Sequence, residues 1–97
     1  MSSTEAVSVR VLDREYTVGV GAGEVEGLMA AARVLDARMR EVRGANRMAA
    51  IDRVAVLAAL NLAHELEQLR RDAERRDREL ADALSALELK LDALLDA

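Results

Sequence analysis

Cysteine, proline, phenylalanine and tryptophan are all absent from this 97-residue chain. Without cysteine there are no disulfides, no thiol catalysis and no cysteine-ligated zinc. The single histidine, His64, leaves no histidine-based metal cage. Tyr16 is the only aromatic residue, so the core must come from Leu, Val, Ala and Met, which bury less area per residue than aromatic side chains. All five glycines lie at or before Gly44, and nothing from Ala45 to Ala97 breaks a helix. No apolar run approaches the roughly 20 residues of a membrane span. The opening MSSTEAVSVR lacks the basic end and apolar stretch of a signal peptide. A cytoplasmic protein that does not engage membranes is therefore expected. Lys+Arg number 14 against 18 Asp+Glu, for a net charge of −4, which weighs against nucleic-acid binding, since that rests on excess positive charge.

What is present is pattern. Residues 1–6 carry none and are expected to be disordered; 7–50 read as a small head. Within it, residues 7–20 alternate, with Val7, Val9 and Val11 on one face of a strand and Tyr16, Val18 and Val20 on one face of the next. A two-residue turn at Asp13-Arg14 pairs Val11 with Tyr16, Val9 with Val18 and Val7 with Val20, placing every apolar pair on one side. Leu28, Ala32, Leu35, Met39 and Val42 recur at helical spacing, predicting an amphipathic helix over 24–43. Glu24 and Glu26 suit its start, Arg38, Arg40 and Arg43 its end, and Gly44 is a suitable stop. A second helix, 51–97, follows the connector 45–48, in which Asn46 is the only nearby side-chain cap. At 1.5 Å per residue it spans roughly 70 Å, against a radius of gyration of about 13 Å for a compact chain of this size, so much of it needs a partner. The fold class expected is α+β: a head of one β-hairpin and one helix, then a long C-terminal coiled-coil helix.

That helix names its own partner surfaces. Residues 54–63 are apolar at nine of ten positions, and a helix apolar all round is buried all round. A head this small covers about half its circumference, so residues 54–69 are expected to seed a homodimer, with Val54, Leu57, Ala58, Asn61, Leu62, Leu66 and Leu69 as interface candidates. Asn61 faces solvent or pairs across the dimer to fix register. Leu62, Leu66, Leu69, Ala73, Arg76 and Leu80 follow a coiled-coil seam, interrupted by a stutter before Leu84. The seam resumes at Leu84, Leu87, Leu91 and Leu94. The face there is widened by Leu80, Leu89 and Leu95, so more than two helices are expected to meet within 70–96, making a homotetramer. Between the two apolar zones, residues 70–79 hold nine charges of both signs, expected to pair with one another along a solvated helix.

No constellation carries chemistry. His64-Glu65 opens like a zinc-protease motif, but position 68 is Gln where a second His is needed. Gly19, Gly21 and Gly23 lack the spacing of a phosphate loop, and Glu24 and Glu26 would repel a phosphate. Neither an enzyme, a cofactor, a metal nor a small-molecule ligand is expected. Arg14, Arg43 and Arg47 either form an exposed positive rim that steers acidic partners or are scattered solubilising charge.

The stretches VSVRVLDREYTV (7–18), LMAAARVLD (28–36) and RVAVLAALNLAHEL (53–66) resemble the ZapA family of bacterial cell-division proteins. The resemblance implies parallel dimers joined tail to tail into tetramers, located at the division septum, whose heads bind the tubulin-like protein FtsZ and crosslink or align its filaments in the Z-ring. It also implies that Arg14, Arg43 and Arg47 contact FtsZ. Asp13 stands where the family often has a turn glycine, and Ala50 where it often has a Ser or Thr cap. The alternative is a structural coiled-coil adaptor for a different protein.

Overall fold

The computed structural model describes residues 3–45 and 47–96. Strand β1 (Thr4–Val11) pairs antiparallel with β2 (Arg14–Gly21). A single 3-10 turn, Ala22–Glu24, leads into helix α1 (Val25–Ala45), and α2 runs from Ile51 to Leu95. The α+β class and the order hairpin, helix, long helix are those expected from the pattern of the sequence. The chain divides into two compact units, one ending at Asn61 and the other beginning at Leu62.

The hairpin register differs from expectation. The turn is Leu12-Asp13, and Val11 faces Arg14, Val9 faces Tyr16 and Val7 faces Val18. Both turn residues have positive φ, 47° at Leu12 and 65° at Asp13, the pairing a primed hairpin turn demands. Leucine is a poor occupant of that region, by about 1–2 kcal/mol. Two interactions offset the cost. The Leu12 side chain is only 5% exposed, a burial worth about 1.5–3 kcal/mol. Its amide donates to Asp36 Oδ1 of α1 at 2.8 Å. The register moved by two residues, so side-chain parity was kept and the apolar face survived.

Residues 4–6, expected to be disordered, belong to β1 instead: Thr4, Glu5 and Ala6 face Gly21, Val20 and Gly19. The Ala22 amide donating to the Ser3 carbonyl at 3.2 Å closes the open end of the ladder. Residues 1 and 2 lie outside the described residues, as does Asn46, the expected cap. Helix α1 also continues past Gly44 to Ala45, and no glycine has positive φ, so Gly44 is a residue of the last turn and not its stop.

The core of the first unit is Val11, Leu12, Met39, Val42, Val54 and Ala58, with Ala32, Leu35, Ile51 and Leu57 packed against it. It joins the hairpin's inner face, the α1 stripe and one side of early α2. The Val54 amide bonds the Ala50 carbonyl at 3.0 Å, which makes Ala50 the N-cap of α2 with no side-chain acceptor. Asp52 Oδ1 takes the Arg53 amide at 2.9 Å, so a residue of the helix itself satisfies that amide of the first turn. Ala50→Ser is therefore expected to stabilise the fold by about 0.5–1 kcal/mol, read as a higher urea midpoint with unchanged slope.

In the second unit every described residue from Ala63 onward is exposed. Ion pairs local to the helix join Arg70 to Glu67 at 3.4 Å, Arg75 to Asp72 at 3.5 Å and Arg75 to Glu79 at 3.9 Å. Charge alternation thus satisfies itself along one helix, as spacing of three and four residues allows.

Candidate partner-binding surface

Arg14 opens β2 and Arg43 lies in the last turn of α1. The fold brings both to one pocket of about 200 Å³, with Leu12, Ala49, Ile51 and Val54 as its other walls. Arg47 is exposed in the turn between the helices but does not line that pocket. Among the described residues no ion pair occupies Arg14 or Arg43. Two cations therefore share a small concave patch with an aliphatic floor.

Beside this patch lies an interaction the sequence reading missed. Arg40 Nε donates to Asp36 Oδ2 at 2.9 Å, and Arg40 Nη2 donates to Asp13 Oδ1 at 3.1 Å. Asp36 uses its other oxygen for the Leu12 amide. One guanidinium thus spans a carboxylate on the turn and a carboxylate on α1. The spacing of Asp36 and Arg40 was visible as a helical i,i+4 pair, but nothing local to the sequence indicates Asp13, 27 positions away.

The Arg40 side chain, then the Leu12 amide, hold the Asp36 carboxyl below its ordinary value of 3.8, and Arg43 adds a smaller effect in the same direction. The Arg40 guanidinium is raised in turn, first by Asp36 and then by Asp13. A carboxylate whose folded pKa is depressed contributes stability above its unfolded value and loses it as pH falls through the folded one. Asp36→Ala is therefore expected to be less stable than the parent near pH 7. The gap should close as pH drops below about 3.8, as followed by urea melts across a pH series.

The candidate interface residues separate into two sets. Val54 is 1% and Ala58 0% exposed within a single chain, so both belong to the protomer's own core. A run that is apolar all round does not reveal which side faces inward. The open side of the same run carries Val56 and Leu60, 58% and 61% exposed, which the sequence reading did not single out. Leu57 and Leu62 are half-buried and Asn61 is exposed. Leu66, Leu69, Leu84, Leu87, Leu91 and Leu94 are between 47% and 73% exposed.

A second concavity, about 580 Å³, opens on the hairpin's inner face. Val9, Val11, Tyr16 and Val18 form one wall, the α1 stripe from Leu28 to Met39 another, and Ile51, Asp52 and Ala55 the end. It is almost wholly apolar, with Tyr16 47% exposed at its side. No group of three or more metal-ligating side chains occurs among the described residues. Among them, too, no helix is long and apolar enough to cross a membrane.

A hairpin-and-helix head followed by a long amphipathic helix defines the class. Residues 7–94 match the family described as Cell division protein ZapA, and the chain belongs to that family. A Cell division protein ZapA of Pseudomonas aeruginosa is 37% identical over 101 residues, covering 89% of this chain and 97% of the relative. Among solved structures, a protein titled as an unknown conserved bacterial protein from P. aeruginosa PAO1 aligns with TM-score 0.65 and 37% identity, over 95% of this chain and 98% of that one. A ZapA mutant dimer from Geobacillus stearothermophilus aligns with TM-score 0.64 and 25% identity, over 82% of this chain and 92% of its own. A role in the bacterial division machinery follows from family membership.

Proposed function

We propose that this protein is a non-enzymatic crosslinker of FtsZ filaments, acting in the cytoplasm at the division septum as a homodimer that associates further into a homotetramer. The observation that carries the reading is the convergence of Arg14 and Arg43 on one pocket, with no ion pair to either among the described residues. Arg47, exposed in the adjoining turn, extends that positive rim. An acidic filament surface is the natural counterpart of such a patch. Self-association is supported by the second unit, where a single chain leaves its leucines wet at a cost of about 1.5–3 kcal/mol each. The G. stearothermophilus structure is that of a ZapA mutant dimer, in keeping with self-association. Leu66 and Leu69, with the open side at Val56 and Leu60, would hold the dimer. Leu84, Leu87, Leu91 and Leu94 would join two dimers.

The test is co-sedimentation with FtsZ polymers at low and high salt, beside a gel shift with duplex DNA. Salt-sensitive pelleting with FtsZ and no shifted DNA is expected. Absence of pelleting at low salt would leave the adaptor reading, with another protein as partner.

A further inference from the structure

The rim sits next to a carboxylate that ought to weaken it. Asp13 directly precedes Arg14 and lies in a turn whose two residues both have positive φ. Arg14 is flanked along the chain by two carboxylates, Asp13 and Glu15; Glu15 Oε1 accepts the Ser8 hydroxyl at 2.6 Å, whereas an unpartnered Asp13 would be free to fold back on Arg14. In the structure Asp13 is instead held by Arg40 at 3.1 Å. The same guanidinium reaches Asp36 through a different nitrogen at 2.9 Å, and Asp36 holds the backbone amide of the turn at 2.8 Å. Arg40 therefore faces one carboxylate from its own helix and one from the hairpin, and Arg43 lies one helical turn further on.

We infer that Arg40 is a positioning residue for the basic rim: it withdraws Asp13 from Arg14 and, through Asp36, pins the Leu12-Asp13 turn to α1, so that Arg14 and Arg43 meet an acidic protein surface without a direct ion pair to either carboxylate. This rests on the reading of the rim as the FtsZ contact. Geometry explains why arginine does this. Its planar fork offers separate nitrogens to two carboxylates at once, whereas lysine presents a point charge with no fixed fork. Arg40 is itself about half exposed, its side chain at 45%, so each ion pair taken singly is worth little in fold stability. Its larger effect lies in the charge that the rim presents.

The experiment pairs binding with a readout inside the head. FtsZ co-sedimentation is measured near 0.1 M salt for the parent, Arg40→Gln, Arg40→Gln with Asp13→Asn, Arg40→Lys and Arg43→Glu. Hydrogen exchange of the Leu12 amide and thermal melts are measured on the same proteins. Arg40→Gln is expected to weaken binding about fivefold, the scale of one exposed charge interaction, and to speed exchange at Leu12. Adding Asp13→Asn should restore most of the binding without restoring the melting temperature, which a merely structural role would not produce. Arg40→Lys should fall between parent and Arg40→Gln. Parent-like binding by Arg40→Gln alongside lost binding by Arg43→Glu would overturn the positioning role and leave the rim reading intact. Parent-like binding by Arg43→Glu would instead count against the rim. The turn-pinning half is then judged alone, and unchanged Leu12 exchange in Arg40→Gln would overturn it.

Discussion

Arg43→Glu combined with Arg47→Glu is expected to abolish FtsZ bundling while helix content and oligomeric mass stay at parent values. The exchange turns two positive charges into two negative ones on a chain already at −4, and like-charge juxtaposition at an interface costs several kcal/mol. Neither side chain is in the buried core, so the head should fold as before. Parent bundling should also fall steeply with salt, because exposed charges are screened within about 8–10 Å at physiological ionic strength. Turbidity and electron microscopy of FtsZ polymers, with circular dichroism and light scattering on the variant, make the comparison. Normal bundling by the double variant would move the contact elsewhere on the head.

Leu87→Asp is the second large effect: loss of the tetramer with retention of the dimer. Leu87 is 53% exposed in a single chain, with Leu84 at 52% and Leu91 at 49% on the same helix. A charge placed among packed leucines must be desolvated without a partner, a cost of several kcal/mol that such a contact does not withstand. The dimer contact proposed around Leu66 and Leu69 is some 18 or more residues away along the helix and should survive. Each remaining dimer should still bind single filaments. Bundling should drop sharply, because it depends on several heads linked in one assembly, where a second weak contact forms at high effective concentration. Light scattering that still finds a tetramer would sink the layered assembly, and bundling by a verified dimer would remove its role in crosslinking.

Much of the head is legible from residues alone, and the parts that are not have a common cause. The alternation at Val7, Val9, Val11, Tyr16, Val18 and Val20 assigns the hairpin's inner face, because parity survives a two-residue slip. The turn itself is not legible. Asp13 is a better turn residue than Leu12 by local preference, yet Leu12 occupies the first turn position because α1 supplies a bond to its amide and the core takes its side chain. Both influences come from 24 or more residues away. Val54 and Ala58 show the same limit: which side of an apolar helix faces inward is decided by its neighbours. The residues alone leave Arg14, Arg43 and Arg47 as either a rim or scattered charge, and the family resemblance favours the rim. Their shared pocket is a tertiary fact, and so is the bond between Arg40 and Asp13.

Tyr16 gives the head a built-in optical reporter. It is the chain's sole aromatic residue, so all near-ultraviolet absorbance and intrinsic emission come from one phenol at the side of the apolar concavity. Any event that dries that wall alters the whole signal, undiluted by chromophores elsewhere. The long helix is optically silent, so its unzipping is seen only in the far ultraviolet. Two wavelength ranges thus separate the fate of the hairpin's inner face from that of the leucine tail without a label on either.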